Sequence, residues 1–418
     1  MATPPDEQTA RAELRAWLAE WWDPERPLAE WRRLLVDSGW AAPTWPADAY
    51  GRGLPDSYAT GLAEEMAAAG AVGAAGGSGM ALAAPTLLRH GPEDLQRRLL
   101  RGILTGEERW CQLFSEPGNG SDLAGLTTRA VRDGDQWIVN GQKVWTTGAK
   151  TASYGMLLAR TDWDAPKHRG ITYFALPMHQ DGVEVRPLRQ MNNHASFNEV
   201  FLTDAAVPHE NIVGAEGVGW AAALTTLAHE RNLGANRSAP GSTSAAGRTV
   251  REAMDEDGDY LRTYSWYPQR AGRPDLLASQ AKESGRSEDP LIRQRLADVE
   301  MRERVARWNV RRALAARAQG QAPGPEGSLA KLTGTDIARR SSSLHAQMAG
   351  PAAMLNGPDS VLGGILAEII VSVPAGSIAG GTDEVQHNIL GERSLGLPRE
   401  PSIDADIPFR DVKTNRRD

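Results

Sequence analysis

Trp110-Cys111-Gln112-Leu113-Phe114-Ser115-Glu116-Pro117-Gly118-Asn119-Gly120-Ser121-Asp122 is the stretch on which the reading of the fold turns. It leaves an apolar strand and enters a Gly- and Ser-bearing loop, whose backbone amides and hydroxyls suit an anionic or carbonyl-rich ligand at short range. Downstream the same texture continues as short β-branched and aromatic runs at 136–139, 143–147, 171–176, 183–188 and 199–202. Asp133-Gly134, Asn140-Gly141 and Asp181-Gly182 stand between such runs, and this dipeptide chemistry predicts hairpin turns. Residues 109–214 therefore read as an antiparallel β domain.

Outward from this block the periodicity becomes helical. Leu14, Leu18 and Trp21, then Leu95, Leu99 and Leu104, recur at helical spacing, so 1–108 read as a helical domain. Helical pattern returns over 215–418, where Ile292, Leu296, Val299, Met301, Val305 and Trp308 predict one long amphipathic helix. An insertion near 253–286, rich in charge and aromatics, is expected to be a solvated loop or a subunit contact. The fold class is α+β, in the order helical, β, helical.

Composition narrows the function. The chain has 418 residues, 41% hydrophobic, and a net charge of −7, which disfavours nucleic-acid binding because phosphate neutralisation needs clustered Lys and Arg. A single cysteine, Cys111, excludes a disulfide framework and a Cys-rich metal site, and no metal site is expected. The first nine residues lack an apolar run behind positive charge, and the longest apolar stretch, 365–373, is interrupted by Glu368. The expectation is a cytoplasmic protein that does not cross a membrane. Gly217-Val218-Gly219 loosely fits a dinucleotide fingerprint but lacks a βαβ setting and reads as a helix start. Walker-type, zinc-protease and nucleophile-elbow patterns are absent from the sequence.

A second block, Val139-Asn140-Gly141-Gln142-Lys143-Val144-Trp145-Thr146-Thr147-Gly148-Ala149, places an aromatic and two hydroxyls on a strand near the first. Together the two blocks suggest a platform for a flat heterocycle. With Gly39-Trp40 to Pro46, His90-Gly91, Gly106-Glu107 and the run from Ile378 to Gln386, they resemble the acyl-CoA dehydrogenase family from about Leu34 to Arg399.

That resemblance implies an N-terminal helical domain, a middle β domain and a C-terminal four-helix bundle. It also implies FAD as cofactor and α,β-dehydrogenation of an acyl-CoA as the reaction. By the same likeness Gln112, Phe114 and Ser115 lie along the flavin ring, Trp145 packs on it, the Thr147 hydroxyl reaches its N5, and Ser121 contacts ligand or flavin phosphate. Thr382 and Glu384 fall where the family binds FAD phosphate and ribose, and the Gly380 amide falls where a donor meets the thioester carbonyl. An electron-transfer flavoprotein or similar acceptor, and a homo- or hetero-tetramer, are the implied partners.

Many members carry their catalytic Glu at the position of Gly380, whereas a minority carry it before an Arg on the first C-terminal helix. Glu230-Arg231 matches the minority pattern, with Arg231 as a substrate contact. Ala223, Leu227, Leu233 and Gly234 share the helix face of Glu230, an apolar setting expected to raise a carboxylate's pKa toward that of a general base. Gly234 would admit a branched or bulky acyl group there. Arg286 does not match the spacing of the family's pyrophosphate-binding Arg, and Gly350-Pro351-Ala352-Ala353 replaces a Gly-rich adenosine contact. Both departures leave FAD stoichiometry open. The chain is similar to the base-bearing subunits of heterotetrameric actinobacterial sterol side-chain enzymes. The alternatives are a non-catalytic or half-site subunit, and a flavin oxidase or monooxygenase on the same fold.

Overall fold

The computed structural model describes residues 4–236, 246–318, 324–357 and 359–413, and the side chains of 231–236, 259–260, 317–318 and 326 lie outside it. Contacts divide the chain into two compact units: Met1–Leu188 with Ala195–Thr263 and Ser402–Asp418, and Arg189–His194 with Tyr264–Pro401.

In the first unit, helix α1 (Glu7–Trp21) begins at Asp6, whose carboxylate accepts from Thr9 N, and buries Ala10, Leu14 and Leu18 on one face. Each of those leucines is worth about 2 kcal/mol of apolar burial. They pack with Trp31 of α2 (Leu28–Asp37) and Leu62 of α3 (Ala59–Ala68). A π-helical turn, Gly79–Ala83, leads into α4 (Ala84–His90), and α5 (Glu93–Thr105) ends at Gly106 with φ +80°. The π turn has a chemical cause. Pro85 has no N–H for an α-helical bond and its ring crowds the preceding turn, while Ala84 N reaches back five residues to Gly79 O.

The sheet holds seven strands: β1 (Trp110–Leu113), β2 (Arg129–Asp133), β3 (Gln136–Thr147), β4 (Tyr154–Arg160), β5 (Ile171–Pro177), β6 (Val183–Leu188) and β7 (Phe197–Pro208). Their order is β1-β4-β2-β3-β7-β6, with β5 paired to β4. The expected antiparallel character is modified around β4, which runs parallel to β1 and, where Arg129 meets Arg160, parallel to β2. Of the three predicted hairpin turns only Asp133-Gly134 makes one, joining β2 to β3 with Gly134 at φ +63°. Asn140-Gly141 lies inside β3 at an irregularity of the β3–β7 register. Glycine is required there by close approach, because a Cβ on Gly141 would sit 2.5 Å from Thr128 Oγ1. Asp181-Gly182 connects β5 to β6, which pair with β4 and β7 and not with each other.

Helices α6 (Gly219–Asn236) and α7 (Arg248–Thr263) belong to the first unit, so the contact division differs from a C-terminal domain beginning at 215. The second unit contains α8 (Tyr267–Arg270), α9 (Leu277–Glu283), α10 (Pro290–Ala318), α11 (Glu326–Ala349), α12 (Ile365–Ser372), α13 (Pro374–Ile378) and α14 (Asp383–Ser394). The expected loop at 253–286 is instead largely helical and buries Trp266, Leu277, Gln280 and Ala281. The long helix is present as α10, but its two apolar triplets separate: Ile292 and Val299 are buried, whereas Met301, Val305 and Trp308 are exposed. Two residues from Val299 to Met301 turn the side chain by about 200°, to the opposite face. The stretch Val361–Ser394 is long and apolar enough by composition to cross a membrane. Pro374 and Gly380-Gly381 divide it into helices of 8, 5 and 12 residues, each short of the roughly 20 a span requires.

Candidate active site

The loop after β1 is built on a buried ion pair. Glu116 accepts from Thr127 N (2.8 Å), Thr127 Oγ1 (2.9 Å) and Thr128 N (2.8 Å), and pairs with Lys143 Nζ at 3.0 Å. Lys143 also donates to Phe114 O (3.1 Å), and Val144 N donates to Ser115 O, so β3 grips both sides of the loop's start. Burial alone would raise the Glu116 pKa, but Lys143 and the Thr127 and Thr128 donors outweigh it and bring it to about 2. Beyond the pair, Glu116 and Asn119 exchange backbone hydrogen bonds around the turn, and Gly118 and Gly120 face open space.

One strand away, Trp145 is 57% exposed at φ +63°, beside a break in the β3–β7 register, and meets Phe197 edge-to-face. A bulky residue in left-handed backbone is strained by about 1–3 kcal/mol, and such strain gathers at functional sites. The hydroxyls of Ser115, Ser121 and Thr147 have no hydrogen-bond partner among the described residues. An outward indole, unpaired hydroxyls and a loop of open glycines form a face suited to a planar, acceptor-edged heterocycle, and FAD fits that donor set. The Phe114 side chain is buried edge-on against Tyr173, so only its main chain is left to meet such a ring.

Helix α6 is fastened to this region by hydroxyls. Thr226 meets Thr86 of α4 at 2.8 Å and Tyr173 of β5 at 3.2 Å, and His90 Nε2 lies 2.8 Å from Thr225 Oγ1. One turn beyond Thr226 on the same face, the half-buried Glu230 accepts a hydrogen bond from Gln112 Nε2 (3.2 Å, to Oε2). The expected apolar neighbours hold in part: Ala223 is buried and Leu227 packs on the core. The side chain of Arg231 and the surroundings of Gly234 lie outside the described residues.

A groove of about 840 Å³ runs beside the first turns of α6, lined by Thr161, His168, Arg169, Trp220 and Leu224 among others. His168 stands edge-on to Trp220. Its inner wall is held by Arg160, a buried guanidinium that donates to the carbonyls of Ala124, Leu126, Lys167 and Arg169 and stacks over Phe409. Sequence reasoning missed the groove. The only available signal was Trp220 in the run after Gly219, since the 161–170 loop has no motif of its own.

Three predicted residues lie in the second unit. Gly380 and Gly381 take φ +68° and +82°, Thr382 caps α14 by accepting from Val385 N, and Glu384 is exposed. Gln386 Nε2 donates to Gly380 O, and the buried Asp383 pairs with Lys331 at 2.7 Å while accepting from Thr335. Arg286 is exposed beyond the end of α9, and Gly350 closes α11 at φ +59°. No cluster of three or more His, Cys, Asp or Glu able to hold a metal occurs among the described residues.

Family models for the acyl-CoA dehydrogenase N-terminal, middle and C-terminal domains match residues 7–107, 111–205 and 276–395. Acyl-CoA dehydrogenase FadE34 of Mycobacterium tuberculosis is 37% identical over 370 residues, 87% of this chain and 46% of that protein, so the chain spans about half of that relative's length. Acyl-CoA dehydrogenase IpdE1 of the same organism is 35% identical over 376 residues, 88% of each chain. Among solved structures, the Tcur3481-Tcur3483 steroid ACAD is 26% identical with a TM-score of 0.63, covering 96% of this chain and 99% of that one. The ChsE4-ChsE5 complex from Mycobacterium tuberculosis is 26% identical with a TM-score of 0.59, covering 96% and 100%.

Proposed function

The chain belongs to the acyl-CoA dehydrogenase family, and from that premise we propose that it introduces a trans double bond between the α and β carbons of an acyl-CoA, with Glu230 as the base. The observation that carries this reading is the half-buried Glu230 carboxylate, hydrogen-bonded to the strand that leads into the glycine loop, in a chain whose residue 380 is a glycine without an acid to offer.

Glu230 Oε takes the α proton, and FAD, when bound, supplies the acceptor for the hydride leaving the β carbon. Trp145, Thr147, Ser115 and Ser121 are assigned to the flavin face; for Thr382, Glu384 and the Gly380 amide, in the second unit, the family resemblance alone supplies the roles. Removing the α proton builds negative charge on the thioester oxygen, and an amide donor to that oxygen is worth about 3 kcal/mol. The groove at Trp220 and Leu224 would hold the carrier arm of the thioester. Ten residues separate Trp220 from Glu230, about 15 Å along the helix, a length suited to an extended pantetheine. His168 and Arg169 supply cationic or polar edges at its mouth.

The substrate proposed is a thioester with a bulky, steroid-derived acyl group, supported by the likeness to the steroid ACAD. A partner chain is proposed as well. The outward Met301, Val305 and Trp308 of α10, with Trp308 61% exposed, form an apolar stripe opposite the helix's buried face, and a helix apolar on both sides calls for cover on both. The solved ChsE4-ChsE5 complex lends support to a second chain there.

The test is the visible spectrum of the purified protein before and after anaerobic addition of octanoyl-CoA, isobutyryl-CoA and a steroid-22-oyl-CoA, run beside Glu230→Gln. Bleaching of a bound flavin that is slowed about 1,000-fold in the variant supports the dehydrogenase and its base. A colourless protein shifts the reading to a half-site subunit, and rapid reoxidation by oxygen shifts it to an oxidase.

A further inference from the structure

We infer that Gln112 is a positioning residue for Glu230, holding the carboxylate through its side-chain amide, in addition to any main-chain contact of β1 with a flavin. The inference rests on the reading of Glu230 as the base.

The geometry is specific. Gln112 Nε2 lies 3.2 Å from Glu230 Oε2 across 118 residues of sequence. Gln112 stands on a short strand whose neighbours Cys111 and Leu113 are fully buried and whose register with β4 pairs it with Met156. An amide carried on so fixed an element is a preorganised donor rather than a roaming one. Two residues on, Phe114 packs on Tyr173, and Tyr173 meets Thr226 one turn before Glu230. β1 and the residue that follows it thus register α6 at two points on one helix face, once by packing of Phe114 through Tyr173 and once by a direct hydrogen bond from Gln112 to the reacting carboxylate.

The chemistry gives the amide its orientation. An ionised carboxylate only accepts, so the side chain must present its N–H and not its carbonyl. A neutral donor of this kind favours the ionised form, the one that removes a proton, without the strong suppression of basicity that a cation would bring. The elements packed on α6 carry His90 and Arg89 on α4 and Tyr173 on β5, with His229 and Arg231 adjacent on α6 itself. Burial lowers the pKa of both histidines and raises that of Tyr173, so all three favour their neutral forms at the pH where the base works.

The experiment is a pH profile of kcat/KM from 5.5 to 9 on the flavin-loaded full chain, using the thioester of the panel above that bleaches the flavin. Gln112→Met keeps the volume and removes the donor, and Gln112→Glu replaces the donor with a second acid. The acid limb is expected to move up by about one pH unit in Gln112→Met and further in Gln112→Glu, with flavin content read alongside to separate any cofactor contact of Gln112 from its effect on the carboxylate. An unmoved limb in both variants overturns the inference, as does loss of flavin with an unmoved limb, which would return Gln112 to a purely cofactor-binding role. If Glu230→Gln keeps wild-type turnover, the base assignment itself falls. If Glu230→Gln is inactive while the Gln112→Met profile is unchanged, only the positioning role falls.

Discussion

Two glycine-bearing loops in this molecule are each pinned by an acid and a lysine, yet the pins differ in depth. At the β1 loop, Glu116 and Lys143 have side-chain exposures of 4% and 0%, and the carboxylate is further held by three donors from Thr127 and Thr128. At the Gly380-Gly381 loop, Asp383 is nearly as buried, but Lys331 is partly exposed and Arg339 approaches from the surface. A carboxylate in the first setting has no water to fall back on, whereas the second can exchange partners with solvent. The first loop is therefore a fixed platform, and the second tolerates adjustment.

The largest expected effect is at the deeper pin. Lys143→Met leaves Glu116 buried without its cation and should destabilise the first unit by about 3–5 kcal/mol in denaturant unfolding. Since the folded pKa of Glu116 is about 2, against an ordinary 4.5, the pair's contribution is complete above pH 4.5 and fades as pH falls toward 2. The gap between wild type and Lys143→Met should close over that window; a gap that stays constant would break the comparison. Asp383→Asn should cost less, about 1–2 kcal/mol, because Lys331 can rehydrate, and a loss as large as that of Lys143→Met would show that the two pins are equivalent.

A third acid sharpens the contrast because it has no such pin. Glu108 is partly buried, its Oε2 has no hydrogen-bond partner among the described residues, and burial, aided by Glu107, raises its pKa to about 7. The folded state then holds a proton that the unfolded state releases near 4.5, so stability declines as pH rises from about 4.5 through 7. Glu108→Gln removes that titration. The variant should show a smaller drop in melting temperature between pH 5.5 and pH 8 than wild type, a shift of a few degrees at most.

What the sequence disclosed follows from range. Periodicity along α1, α5 and the start of α10 located helices, because burial of every third or fourth residue is written locally. The Ser115–Asp122 and Val139–Ala149 blocks stood out because Gly, Ser and an aromatic occur there at close spacing, and the bonds from Lys143 to Phe114 O and from Val144 N to Ser115 O do bring the two together. Asn140-Gly141 misled because its glycine answers to Thr128, a partner on another segment. Met301, Val305 and Trp308 carry the right period but lie on the second apolar face of α10, and period alone does not say which face is inside. The bond from Gln112 to Glu230, the Thr86–Thr226–Tyr173 hydroxyl chain and the groove beside Trp220 all join segments distant in sequence. No local pattern encodes such pairings.

The π turn at Gly79–Ala83 sets the rotational phase of everything after it. In a regular helix each residue advances the side chain by about 100°, so one residue accommodated without advancing the turn rotates the whole of α4 by that angle about its axis. Thr86 and His90, which meet Thr226 and Thr225, reach α6 only in the rotated setting. Deleting Ala81 would leave composition, hydropathy and length almost unchanged and yet swing both side chains away from α6. The segment is thus intolerant of a one-codon deletion, as though the helix were a gear whose teeth mesh only after a single extra notch.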